Sequence, residues 1–145
     1  LINRFHIHKS ENKDFLECWG SGNPRREFMH VDDLADACVF TLERWNPNSK
    51  DAPIDELGKP LTWLNVGTGE DIKIKYLAEK IAELTSFKGK IHWDTSKPDG
   101  TYQKLLDVSK LSSLGWQSKI SLEYGLKMTY QDYKKDLDSD RLRVT

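Results

Sequence analysis

An α/β class with an unfinished parallel sheet follows from three observations. Extended runs alternate with amphipathic helices along the chain, the order that builds strand–helix–strand units. Two of the runs, around Phe28 and Leu64, are apolar enough to lie inside a parallel sheet covered on both faces. Two such strands cannot cover each other's faces, so further strands are expected upstream of Leu1. The length of 145 residues suits one domain with a single core.

The elements follow in order. An N-terminal helix remnant leads through the charged stretch from His8 to Asp14 into a short strand, Phe15 to Trp19. Glu27-Phe28-Met29-His30-Val31 is a second extended run that stops at Asp32-Asp33, an N-cap and first-turn signal. The helix after it carries Leu34, Ala37, Cys38, Thr41, Leu42 and Trp45 at spacings of three and four, which predicts an inward face. Asn46 to Pro60 is rich in proline and reads as a loop. Leu61 to Val66 reads as a strand ending at Gly67-Thr68-Gly69, and a helix from about Ile74 to Ser86 turns Ile74, Leu77, Ala78, Ile81 and Leu84 inward. Ile91-His92-Trp93 and Lys104 to Asp107 are brief extended runs. A short helix from Val108 to Leu114 is closed by Gly115, and Ser121 caps a last helix bearing Leu122, Leu126, Tyr130, Tyr133 and Leu137.

Composition excludes several function classes. Hydrophobic residues make up 37% and charged residues 31%, as in a soluble globular protein with a wet surface. A formal net charge of -1 gives no steering towards nucleic acid or an anionic membrane. No apolar run approaches a membrane span. Leu1-Ile2-Asn3-Arg4 does not read as a signal peptide, and the absent initiating Met suits a fragment of a cytoplasmic protein. Cys18 and Cys38 lack metal or redox spacing and are expected to be buried, reduced thiols. His6-x-His8 would put two imidazoles on one strand face, with no third ligand spaced to complete a metal site.

Two loops carry the chemistry. Trp19-Gly20-Ser21-Gly22-Asn23-Pro24-Arg25-Arg26-Glu27-Phe28 places Arg26 after a Gly/Pro-punctuated turn. A guanidinium there could donate two parallel hydrogen bonds to a pyrophosphate, or simply be a solvated surface cation. Trp19 could pack in a core or offer its ring face and indole N–H to a ligand. The second loop, Trp93 to Asp107, is punctuated by Lys97, Asp99 and Lys104. Asp99-Gly100 is a turn former, so Asp99 could cap its own turn or accept hydrogen bonds from sugar hydroxyls. Lys104 is a point charge suited to a phosphate and anchored by Leu105-Leu106.

Together these two segments closely resemble the C-terminal half of the GDP-L-fucose synthases, nucleotide-sugar epimerase-reductases of the extended short-chain dehydrogenase/reductase family. Ser96-Lys97-x-Asp99-Gly100-x-x-x-Lys104 is the most family-specific feature, and the resemblance runs from Arg4 to about Leu137. It implies substrate contacts at Arg4, Trp19, Arg26, Asp99 and Lys104, and leaves Arg25 as surface. Tyr102-Gln103 stands where bacterial members commonly carry Pro-Arg, so the resemblance does not extend to the phosphate or ribose contact which that arginine could make. The resemblance implies the C-terminal substrate-binding portion of an extended short-chain dehydrogenase/reductase, with an incomplete Rossmann sheet. Residues 1–145 would form one unit, with segments of about 27–45 and 61–66 returning to an N-terminal Rossmann domain. The parent enzyme would epimerise and reduce GDP-4-keto-6-deoxy-mannose to GDP-fucose with NADPH, as a homodimer, without nucleic-acid or membrane partners. The cofactor loop and the Ser-Tyr-Lys, Cys and His residues of the family would all lie upstream, leaving this chain inactive alone.

Three other signals read as structural. Gly67-Thr68-Gly69 lacks the third glycine of a dinucleotide loop, and Glu70-Asp71 would repel a pyrophosphate. Tyr76-x-x-x-Lys80 and Tyr130-x-x-x-Lys134 match a dehydrogenase Tyr/Lys spacing, yet neither follows a Ser-bearing strand. Asp32 is read as the N-cap of its helix rather than an acid–base group. Two rivals stay open: another nucleotide-sugar epimerase or dehydratase, which would lack the Ser96-to-Lys104 pattern, and a non-catalytic nucleotide-sugar binding module. The exposed faces of the Phe28 and Leu64 strands are expected to promote self-association in the lone chain.

Overall fold

A computed structural model describes residues 1–139 and 141. The elements are α1 (Ile2–Ser10), β1 (Phe15–Trp19), β2 (Arg25–Glu27), α2 (Val31–Arg44) and β3 (Asp71–Lys73). They continue with α3 (Ile74–Thr85), β4 (Lys90–Asp94), β5 (Gln103–Lys104), α4 (Ser109–Ser113) and α5 (Leu122–Asp138). This is the α/β class expected, with parallel pairing of β1 with β4 and of β2 with β5. The chain divides into two compact units.

Among the described residues, the first unit holds Leu1–Arg26, Ile72–Lys104 and the segment that begins at Leu122. Strand β1 buries alternate residues, with Leu16 and Cys18 inward and Phe15, Glu17 and Trp19 outward, as one face of a pleated strand requires. It pairs in parallel with β4, Phe15 opposite Lys90 and Trp19 opposite Asp94. Parallel pairing requires a crossover, and α3 lies on it. Helix α3 buries Leu77, Ala78 and Ile81 at helical spacing, ends at Ser86 in the left-handed conformation, and packs against α1 and α5. Phe5 of α1 is fully buried and meets Phe87 edge-on at 5.5 Å between ring centroids. Burial pushes the Cys18 thiol above its ordinary pKa. A second sheet has the order β3-β2-β5, with Arg25 opposite Gln103 and Arg26 opposite Lys104 in a parallel pair.

The second unit comprises Glu27–Asp71 and Leu105–Ser121. Ala37, Leu111 and Trp116 form its core, joined by Met29, Phe40, Leu64 and Val66. Asp33 is buried and accepts from the Lys119 and Ile120 amides, at 3.1 and 2.9 Å to one carboxylate oxygen. Asp36 accepts from the Trp116 indole at 2.8 Å and from Lys119 Nζ at 3.0 Å. These two donors hold its carboxyl below the ordinary range.

Several local expectations need correction. Leu61 to Val66 is not a strand: it packs Leu64 and Val66 on the core but makes no ladder, and Asn65 donates to the Asp107 carbonyl at 3.1 Å. Phe28 likewise lies past the end of β2, so the paired parallel strands are β1 with β4 and β2 with β5. An apolar run becomes a strand only where a neighbour offers matching donors and acceptors, which composition alone does not reveal. The α2 N-cap is His30, whose Nδ1 accepts from the Asp32 amide at 3.2 Å, with Asp32 within the first turn. Only Asp33 and Ala37 of α2 are buried; Leu34 and Cys38 are exposed, and Leu42 is 87% exposed. Cys38 is therefore not a buried thiol. His6 and His8 lie on α1 rather than a strand, His6 hydrogen-bonded to the Tyr130 hydroxyl and His8 donating to the Arg4 carbonyl.

Candidate functional site

The site lies in the first unit, at the carboxyl ends of the parallel pair β1 and β4. Open α/β sheets bind ligands at such ends, because the loops leaving adjacent strands converge there. Trp19 closes β1 opposite Asp94, and the Gly20 amide donates to the Asp94 carbonyl at 2.9 Å, one residue beyond the strand. Gly20 then turns the chain with φ +80°, a left-handed conformation that side chains rarely adopt. The turn is tied to the start of α3, where the Lys75 amide donates to the Gly22 carbonyl at 2.9 Å and Ile74 to Pro24 at 3.0 Å. On the other strand, Asp94 accepts from the Ser96 amide at 3.0 Å and the Ser96 hydroxyl at 2.6 Å. These bonds keep the Asp94 carboxyl below the ordinary range and launch the Lys97–Lys104 segment.

The two loops meet at Asp99. Its Oδ1 accepts from the Ser21 amide at 2.8 Å and its Oδ2 from the Ser21 hydroxyl at 2.6 Å. The hydroxyl first, and then the amide, lower the Asp99 pKa. Asp99 therefore caps the opposite loop rather than its own turn. Lys97 Nζ lies 5.7 Å from the centroid of the Trp19 ring, which is 73% exposed. Arg26 is half-buried; its guanidinium donates to the Arg25 carbonyl at 2.6 Å and lies beside Gly100, where a Cβ would come within 3.3 Å of it. Lys104 is exposed and pairs with Arg26 across the β2/β5 register. Arg4 reaches from α1 to donate to the Glu17 carbonyl, two residues before Trp19.

Of the five residues singled out from the sequence, Trp19, Arg26, Asp99 and Lys104 are thus linked through the two loops and the β2/β5 pair, while Arg4 is attached from α1 through β1. Among the described residues none of Arg4, Arg26, Lys97 and Lys104 forms an ion pair with a carboxylate. Four cations without a carboxylate partner among the described residues, of which Lys97 lies beside the exposed Trp19 indole, suit a planar, anionic ligand. Ser21 was not apparent as a site residue; its only signal was a hydroxyl placed between two glycines in a loop that faces an Asp-Gly turn.

Gly67-Thr68-Gly69 lies in the second unit and is filled from within the protein. Glu27 Oε1 accepts from the Gly69 amide at 2.7 Å and the Thr68 hydroxyl at 3.2 Å, and its Oε2 accepts from the Leu106 amide at 3.2 Å. A carboxylate already occupies the donors that a dinucleotide pyrophosphate would need, so these residues do not fit that group. A Cβ on Gly67 would stand 2.4 Å from Glu27 Oε1. Gly67→Ala is therefore expected to cost about 1–3 kcal/mol as an overpacked site. Urea unfolding of the variant measures this, and an unchanged midpoint would show that the Glu27 plug is dispensable.

The Tyr/Lys pairs sit on helix surfaces. Lys80 Nζ pairs with Glu123 at 2.7 Å, which raises the lysine pKa, and lies 5.4 Å from the Tyr76 ring centroid. Lys134 Nζ lies 5.0 Å from the Tyr130 ring centroid. Among the described residues no group of three His, Cys, Asp or Glu could hold a metal ion, and no helix is long and apolar enough to cross a membrane.

Comparison with known proteins adds a family. The model of the NAD dependent epimerase/dehydratase family matches residues 1–53. A putative GDP-L-fucose synthase 2 of Arabidopsis thaliana is 49% identical over 137 residues, 94% of this chain and 38% of its own length. The GDP-L-fucose synthase of Escherichia coli K12 is 43% identical over 141 residues, covering 97% of this chain and 43% of that protein. Among solved structures, a GDP-6-OMe-4-keto-L-xylo-heptose reductase from C. jejuni superposes with a TM-score of 0.82 at 35% identity, over 93% of this chain and 46% of that one. The chain thus spans less than half the length of the relatives it matches.

Proposed function

We propose that this chain, which is similar to GDP-L-fucose synthases, belongs to the extended short-chain dehydrogenase/reductase family and is the C-terminal, nucleotide-sugar-binding part of an NADPH-dependent epimerase-reductase. The whole enzyme converts GDP-4-keto-6-deoxy-mannose to GDP-fucose in the cytoplasm, as a homodimer. The observation that supports this reading is the set of four cations without a carboxylate partner among the described residues, Arg4, Arg26, Lys97 and Lys104, of which Lys97 lies beside the exposed Trp19 at the end of β1. Arg26 and Lys104 face the diphosphate, Trp19 offers its ring, Arg4 adds a cation at the β1 side, and Asp99 belongs to the same set. Residues 1–145 act as one substrate-binding portion, with the segments 27–45 and 61–66 completing an upstream cofactor domain.

NADPH, held by that upstream part, supplies the hydride for the sugar carbonyl. This chain's own residues bind and orient. Fixing the diphosphate remote from the reacting carbon holds the sugar in one pose, so that binding energy is spent on alignment at the reaction centre. A second reading, favoured by the likeness to the heptose reductase, keeps the GDP and changes the sugar. The test incubates the full protein with NADPH and GDP-4-keto-6-deoxy-mannose, then identifies the product. GDP-fucose is expected from the full protein and no turnover from residues 1–145 alone. Turnover of UDP- or dTDP-sugars with indifference to GDP-sugars would overturn the reading, and turnover by the isolated chain would place catalytic groups within it.

A further inference from the structure

Asp99 stands among the ligand-facing residues by sequence, yet both of its oxygens are directed at Ser21. The two bonds differ in kind: one comes from a backbone amide and the other from a hydroxyl, so together they fix the carboxylate plane against the Gly20-Ser21 turn. The turn itself is shaped to receive it. A Cβ on Gly20 would stand 2.4 Å from Asp99 Oδ1, so the close approach needs a glycine there, and the φ of +80° needs one again. The next residue, Gly100, lies under the Arg26 guanidinium, and Lys97, two residues before Asp99, lies over Trp19. Asp99 is therefore the point at which the segment bearing Lys97 is pinned to the turn that follows Trp19.

We propose that Ser21 and Asp99 form a clasp between the two loops, and that both are positioning residues that act on the bound nucleoside diphosphate through Lys97, Trp19 and Arg26. The assignment of a diphosphate ligand rests on the function proposed above, whereas the clasp rests on geometry alone. Holding two loops together before binding removes an ordering cost from the association step. The carboxyl's lowered pKa fits this role: the bonds favour the ionised form, so the clasp is complete at neutral pH and is lost only as the pH falls through the folded value.

The test is a double-mutant cycle in the full protein, using Ser21→Ala, Asp99→Ala and the pair, with Ser21→Thr as the variant that keeps the hydroxyl. Two quantities are read: affinity for GDP by calorimetry, and amide hydrogen exchange of residues 20–22 and 97–103 without ligand. Each single variant is expected to raise exchange in both segments and to weaken GDP binding by roughly tenfold, the scale of a hydrogen bond to a charged group. The double variant should be little worse than either single one, because both remove the same interaction, and Ser21→Thr should restore both readouts. If Asp99 instead meets ribose directly, Asp99→Ala alone weakens GDP binding while Ser21→Ala changes neither readout, which overturns the clasp. Additive losses in the double variant overturn it too. Coupled exchange in a protein that does not bind GDP would leave the clasp standing and remove the proposed function instead.

Discussion

Phe5→Ala is expected to destabilise the fold by about 3–5 kcal/mol, the usual loss for truncating a buried phenylalanine. Phe5 is fully buried, lies edge-on to Phe87, and stands on the helix that packs against both α3 and β1. Its removal takes away the transfer term of the ring and leaves a space that two packed helices and a strand cannot easily collapse. A domain's whole stability is about 5–15 kcal/mol, so the variant should approach the limit of folding at physiological temperature. Urea unfolding followed by circular dichroism measures it, with Phe5→Leu as a milder variant that keeps more of the volume. The consequence reaches the site, since the residue before Phe5 is Arg4, which holds on to the Glu17 carbonyl of β1. A loss below about 1 kcal/mol, the size of an ordinary surface effect, would show that α1 is only loosely attached.

What the sequence discloses about this fold is set by how local each signal is. Helix α3 was legible because Leu77, Ala78 and Ile81 repeat at helical spacing and nothing distant is needed to explain them. The two loops were legible because Gly, Pro, Asn and Asp name their turns through their own backbone preferences. The Leu61–Val66 run was misread because strand identity belongs to a pair, and the run packs its side chains without a ladder partner. The exposure of Leu34 and Leu42 was equally hidden, since periodicity predicts a face and not what covers it. His30 as N-cap escaped notice because Asp32 and Asp33 are the stronger capping types, and only geometry shows that the imidazole reaches the free amide. At the site, residue chemistry marked Arg26, Lys104 and Trp19, while the engagement of Asp99 with Ser21, seventy-eight positions away, could not be read from spacing.

Arg26→Ala and Lys104→Ala, made in the full protein, are each expected to weaken GDP-sugar binding by roughly ten- to a hundred-fold, the equivalent of about 1.5–3 kcal/mol for a charged hydrogen bond. The two residues sit opposite each other in the β2/β5 register and carry no carboxylate partner among the described residues, so their charge is available to a ligand. Arg26 is the more demanding position. Its guanidinium is already oriented by the Arg25 carbonyl and by its place beside Gly100, which leaves a planar fork in a set direction. Arg26→Lys should therefore recover little of the affinity, because an ammonium cannot make two parallel bonds, whereas Lys104→Arg should recover most of it. Raising the salt concentration should weaken the wild type more than either alanine variant, since each variant has one fewer cation to screen. Affinity for NADPH should stay nearly constant throughout, because the Gly67-Thr68-Gly69 donors that could have met a cofactor are taken by Glu27. Arg25→Ala is the neighbouring control and should leave nucleotide-sugar affinity nearly unchanged. Equal losses at Arg25 and Arg26, or a loss confined to NADPH, would move the substrate phosphates away from this pair of strands.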